Sequence, residues 1–351
     1  MKNVFLLTLM FMVVFVPTLY ASGGGQKKVP GPVHFLLQEM KKDGISKDII
    51  EKYQRKYQAT AKGDKQKRMK ILSDAIEDAH GIRFWQLIKF NSVDGITIPG
   101  YLTLPAGKGN VPSVVLVHGA SHGNSRIYQK YAFRLAKNGY ATLAVDYRSS
   151  TGHGDYLKNA DDPGPGGKEF DDVIAALNFL KKHKRINKDK LGLLGGSRGA
   201  YISANVITKM NLSAAALAYG GYDAEKMAAT APAEKDAPPK PSNDDDGDDN
   251  YEQATSEASK ITDKETLHER SPIYLVDKIK TPIVLVHGDK DIIVPFEQSV
   301  DFSKALGKAG KHVEMKIYNG EGHGFIFQDT EAADDAFNFM LNFLNKFMKG
   351  K

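Results

Sequence analysis

The chain has no cysteine in its 351 residues. That excludes disulfide cross-links, thiolate zinc sites and a cysteine nucleophile, and it leaves no residue for a lipobox anchor. Long apolar runs are scarce. The run from Val4 to Val16 has 13 residues and is broken by Thr8, too short to span a bilayer comfortably. A strong excess of one charge sign is also missing: the net charge is +6 and forms no single block. Nucleic-acid binding leaves a sharper basic stripe, so no nucleic-acid partner is expected. No metal or other cofactor is expected either. His118 and His122 stand four apart, but the glycine between them indicates a loop, and no third ligand follows.

What is present suits a folded, exported protein. Hydrophobic residues make up 41% and charged residues 26%, enough for a sizeable core. Lys2, the apolar run, Pro17 and the small residues Ala21, Ser22 and Gly23 have the order of a signal peptide over residues 1–23. The expected location is periplasmic or extracellular, with no stable membrane insertion after cleavage between Ala21 and Gly24. Residues 24–82 read as a polar helical extension, with apolar residues at three- and four-residue spacing in 32–42, 46–58 and 64–80. Ser46 is the expected N-cap of the second segment, and Gly44 the stop of the first. Lys65, Lys67, Arg68 and Lys70 give the third a basic, solvated face.

From residue 83 to 349 the pattern changes. Two alternating segments, 83–90 and 96–104, flank Val93-Asp94-Gly95, a hairpin signal. Buried strand patterns then follow at 112–119, 141–147, 189–196, 213–221, 281–288 and 312–319, separated by amphipathic helices. Continuous Val, Leu and Ile runs between such helices predict an α/β fold, its eight-stranded, mostly parallel sheet covered on both faces. Residues 231–265 interrupt this with proline, aspartate, serine and lysine, the composition of a disordered acidic insertion. Asp244, Asp246 and Gly247 fall in EF-hand register there, but Ser242 and Gln253 occupy the first and twelfth positions, where Asp and Glu are needed. The segment 268–279 after the insertion reads as helical.

The chemistry concentrates in three places. Ser197 lies in LLGGSRGA, a Gly-x-Ser-x-Gly frame between a strand and a helix. A serine hydroxyl becomes a nucleophile only when a base takes its proton and a carboxylate orients that base. Asp289 and Asp291 follow the strand ending VLVHG, and His323 lies in the loop YNGEGHGF after the last strand. Serine, acid and histidine, in that order and each beyond a strand, have the layout of a hydrolytic triad. The oxyanion of such a reaction needs backbone N–H donors. Arg198, just after the serine, is one candidate. Ala120, in the loop VLVHGASHG after the first parallel strand, is the other, with Gly119 allowing close approach.

Residues 83 to 349 resemble the catalytic domain of the prolyl oligopeptidase family. GGSRGAY is similar to its nucleophile elbow at Ser197, HGDKDIIVP to its acid loop and GEGHGF to its histidine loop at His323. In that acid loop the catalytic aspartate stands three after the glycine, which implies Asp291 over Asp289. DYRSSTGHGDYLK resembles the family's Tyr-Arg-Gly-Ser-Thr-Gly-Tyr-Gly segment, with Ser149 and His153 as departures. At the oxyanion loop the family's His-Gly-Gly-Pro or Tyr-Gly-Gly-Pro is here His118-Gly119-Ala120-Ser121. The resemblance implies an α/β-hydrolase fold and a serine peptidase. The family's β-propeller is not expected in the roughly sixty residues of the helical extension. The substrate class stays open between a peptide and a small carboxylic ester, the latter as in dienelactone hydrolases and acetyl esterases. A non-catalytic binding protein on the same fold is the third reading.

Overall fold

The computed structural model describes residues 38–61, 63–119, 124–148, 150, 167–230 and 264–350. The expected signal peptide, Ala120 and His122 of the oxyanion loop, and almost all of the acidic insertion lie outside them.

The described residues open on a short helical stretch, 38–42, followed by the helices α1 (Lys47–Gln58) and α2 (Lys65–His80). Ser46 stands at the N-cap of α1 but makes no side-chain capping bond. Asp64, not anticipated as a cap, accepts from the Lys67 amide at the start of α2. The hairpin follows: β1 (Arg83–Asn91) and β2 (Thr97–Leu104) pair antiparallel, with a bulge after Arg83. Then β3 (Val111–Val117), α3 (Gln129–Lys137), β4 (Ala141–Val145), α4 (Glu169–Lys182), β5 (Ile186–Gly196), α5 (Arg198–Lys209) and β6 (Ala214–Ala218) alternate. Beyond β6 come α6 (Ala224–Thr230), α7 (Lys264–Glu269), β7 (Ile283–Gly288), α8 (Glu297–Lys308), β8 (Val313–Tyr318) and α9 (Glu331–Met348). The sheet order is β1-β2-β4-β3-β5-β6-β7-β8, parallel from β4 to β8.

One segment departs from its expected form. Residues 268–279 are not a single helix: α7 ends at Glu269, and a 3-10 turn covers Pro272–Lys278. Proline pushes the residue before it out of the helical region, and Ser271 is extended with φ −94° and ψ 109°.

The central strands are apolar on both faces because helices cover both. Val115, Val117, Leu193, Leu217 and Leu285 pack with α4, α5 and α8. Their strand neighbours Val114, Leu116, Leu194, Ala216 and Val284 pack with α2, α3 and α9, as period-two alternation requires. Strand β6 is alanine at four of five positions, and α9 lies against it. Helix α2 joins this second layer through Leu72 and Ile76, whereas α1 rests on α2 through the smaller cluster of Met40, Ile50, Tyr53 and Ala75. The carboxyl ends of the parallel strands open along one edge, the usual place for a site in an open α/β sheet. Among the described residues, no helix is long and apolar enough to cross a membrane.

Candidate active site

Ser197 sits between the end of β5 and the first residue of α5, with φ 56° and ψ −126°. A non-glycine residue in that region carries strain of about 1–3 kcal/mol and persists only where its surroundings impose it. Here they do. The Ser197 amide donates to Ala218 O at 2.9 Å, which ties the turn to β6. A Cβ on Gly199 would fall 1.9 Å from Val117 O, so α5 starts hard against β3 and only glycine fits. Gly119 runs over the serine, and a Cβ there would lie 3.0 Å from Ser197 Cβ. Among the described residues, three that are not glycine have positive φ: Trp85, Ser197 and Tyr219. Two of the three belong to this site, and Trp85 lies in the β1 bulge.

Three strand ends then supply one chain of hydrogen bonds. Ser197 Oγ lies 2.9 Å from His323 Nε2, and His323 Nδ1 lies 2.7 Å from Asp291 Oδ2. With Nδ1–H donating to the carboxylate, Nε2 is left to accept the serine proton. Asp291 Oδ1 accepts from the Ile293 and Val294 amides at 2.9 and 2.8 Å. Its side chain is fully buried. Burial opposes the charge, but hydrogen bonds from His287 and His323 outweigh it and hold the carboxyl well below the usual carboxylate range. Asp289, the other acid in this loop, is engaged elsewhere: its Oδ1 accepts from the Gly320 amide at 2.6 Å, bracing the histidine loop.

The loop that begins at His118, where an oxyanion donor is expected, is held by the segment after β4. Tyr147 stacks on His118 with centroids 4.2 Å apart and donates to His118 O at 2.9 Å. His118 Nε2 meets Ser150 Oγ at 2.7 Å, so the loop that begins at His118 is held by the loop that begins at Tyr147. Arg148 is fully buried and donates to Asp172 at 2.6 and 2.8 Å and to Asp94 at 2.9 and 3.2 Å. Hydrogen bonding from Arg148 draws the Asp94 carboxyl down to about 2. Of the two expected oxyanion donors, Arg198 opens α5, and its guanidinium pairs with the buried Glu169. Ala120 lies outside the described residues.

Sequence reasoning missed two rings. His287, at the end of β7, puts Nε2 2.9 Å from Val294 O and 3.2 Å from Asp291 Oδ2, with Nδ1 2.7 Å from Ser299 Oγ. Tyr219 sets its ring edge-on to His323, centroids 4.8 Å apart. Both lie within or just beyond apolar strand runs and read as core residues.

A hydroxyl, an imidazole and a buried carboxylate joined in this order can activate an oxygen nucleophile and return its proton to a leaving group. On an α/β-hydrolase sheet that is the arrangement of a serine hydrolase. The model of the prolyl oligopeptidase family matches residues 127–351, and the chain belongs to that family.

Its relatives carry similar names. Dipeptidyl aminopeptidase BIII of Pseudoxanthomonas mexicana is 32% identical over 71% of this chain and 37% of its own length. The uncharacterized peptidase YuxL of Bacillus subtilis is 26% identical over 74% of this chain and 38% of its own. The chain thus spans less than two fifths of the length of these curated relatives. Among solved structures, a puromycin-hydrolyzing peptidase of Mycobacterium tuberculosis has the same fold, with TM-score 0.65 and 22% identity over 75% of this chain and 39% of its own. A dienelactone hydrolase structure from Klebsiella pneumoniae, described as putative, aligns along 100% of its length and 75% of this chain, with TM-score 0.52 and 19% identity.

Proposed function

We propose that this chain is an exported serine peptidase that cleaves by an acyl-enzyme route. The observation that carries this reading is the unbroken contact from Ser197 Oγ through His323 to the buried Asp291. Ser197 Oγ attacks the scissile carbonyl while its proton passes to His323 Nε2. Asp291 keeps His323 in the Nδ1–H tautomer and stabilises the imidazolium as it forms. The Arg198 and Ala120 amides hold the oxyanion. As the tetrahedral intermediate collapses, His323 gives the proton to the departing amine, and a water then repeats the sequence on the acyl-serine. Names of relatives that denote peptidases support a peptide substrate over an ester. Export rests on Lys2, the 4–16 apolar run and the small residues at 21–23.

A panel of chromogenic aminoacyl and dipeptidyl amides beside short-chain esters tests the substrate class, with a fluorophosphonate probe reporting the nucleophile. Turnover of amides, lost together with labelling in Ser197→Ala, is the expected result. An enzyme that cleaves esters alone overturns the peptidase reading. Mass spectrometry of the mature N-terminus tests export, and an intact Met1 or Lys2 end argues against cleavage.

A further inference from the structure

Asp291 Oδ2 is shared by two imidazoles. His323 takes it at 2.7 Å and His287 at 3.2 Å. The Nε2 of His287 faces two acceptors, this carboxylate and Val294 O, so that nitrogen carries the proton. In the neutral ring Nδ1 then accepts from Ser299 Oγ, 2.7 Å away on α8. The result is a line of five side chains, Ser299, His287, Asp291, His323 and Ser197. His287 and Ser299 are completely buried, so neither touches a substrate.

An N–H donated to a carboxylate oxygen takes up part of its negative charge. What Asp291 gives to His287 it cannot give to an imidazolium at His323. A Ser299 hydroxyl donating to Nδ1 draws density from the ring and makes Nε2–H a stronger donor. We infer that His287 and Ser299 are positioning residues that act through Asp291, keeping His323 unprotonated at lower pH than an unshared carboxylate would allow. This rests on the reading of His323 as the base. The other groups facing the line do not replace it. Tyr219 lies edge-on to both rings, at 4.8 and 6.5 Å, and burial keeps its phenol neutral. Tyr222, beside Ser299, is likewise kept neutral by burial. Asp289 is turned to Gly320, and Lys290 and Glu321 meet through backbone atoms, the Lys290 amide donating to Glu321 O.

The experiment compares the parent protein with His287→Leu, Ser299→Ala and His287→Gln. Two readouts are used: kcat/KM on an activated ester from about pH 5 to 9, the range in which histidine titrates, and the pH titration of the His323 ring by NMR. In His287→Leu the acid limb moves up by about 0.5–1 unit, with the alkaline plateau retained. Ser299→Ala moves it the same way by less. His287→Gln restores the donor and brings the limb back. The NMR titration, run in a Ser197→Ala background, needs no turnover, so it tests the line even if the parent hydrolyses nothing on the panel. If His287→Leu does not fold, Ser299→Ala and His287→Gln still decide. A lowered plateau with an unmoved limb, or a Gln variant that behaves like Leu, overturns the proposal and leaves His287 as a core residue.

Discussion

Asp291 and Arg148 are both charged side chains withdrawn from water, but their partners differ in kind. Arg148 is met by two carboxylates, Asp172 and Asp94, and by the Ser92 hydroxyl. Its charge is neutralised at once, and the product is a joint between the β1–β2 turn, the end of β4 and the first turn of α4. Asp291 is met by N–H groups: two backbone amides and two imidazoles. Those donors stabilise the anion without a permanent countercharge. The part of its attraction that His287 does not take remains available for a positive charge that appears on His323 only during reaction. A buried cation with fixed anions builds structure, whereas a buried anion held by neutral dipoles stays ready for chemistry.

Substitutions at the two centres are expected to separate rate from stability. The largest effect is on rate: Asp291→Asn lowers kcat by about 10⁴-fold, since the amide favours the wrong tautomer of His323. The urea midpoint also falls, since Asn keeps an oxygen for the Ile293 and Val294 amides but loses the charge that the His287 and His323 hydrogen bonds stabilise. Asp289→Asn is the control within the same loop and stays within about tenfold of the parent, since Asn can still accept from the Gly320 amide and only the charge is lost. Equal losses at 289 and 291 would erase the distinction between the two acids. Next comes stability. Arg148→Met leaves the buried Asp172 without its cation and lowers unfolding free energy by about 3–5 kcal/mol, read from urea midpoints. Turnover per folded molecule changes less than in Asp291→Asn. A variant as stable as the parent would break the comparison at its structural end.

The smallest effect is pH-dependent and sharpens the Arg148 side. In the folded protein the Asp94 carboxyl is held at about 2, below its ordinary value of 3.8. A depressed carboxylate stabilises the fold above its unfolded value and loses that contribution as pH falls through the folded one. Parent and Asp94→Asn are therefore expected to differ in urea midpoint at about pH 5 and to converge near pH 2. A constant gap would show that Asp94 acts without its charge.

What was legible in the sequence follows from the range of each interaction. The runs that became β3, β4, β6 and β7 are apolar at most positions because both faces are covered, and that reads directly from local pattern. Ser197, an acid at 289 or 291 and His323 were legible as an ordered set because each follows its own strand; the family resemblance pointed to Asp291, and the structure joins Asp291 to His323 and Ser197. The partners of Arg148 were not, since Asp94 lies 54 residues away and Asp172 lies 24 away, and nothing local pairs them. His287 was hidden by its neighbours: inside VLVHG it has the surroundings of any buried strand residue. The break at Ser271-Pro272 was visible in the proline itself, but the apolar spacing on either side masked it.

The order of strands in the sheet also sets when the site comes into being. Ser197 is fixed by β5 and β6 near the middle of the sheet, while His323 hangs beyond β8 at its outer edge. The contact between them closes a span of 126 residues, and pairing across so long a span is intrinsically slow. A growing chain therefore carries its hydroxyl well before it carries a base. Until the last strand joins and α9 closes over β6, the strained turn holds an ordinary alcohol.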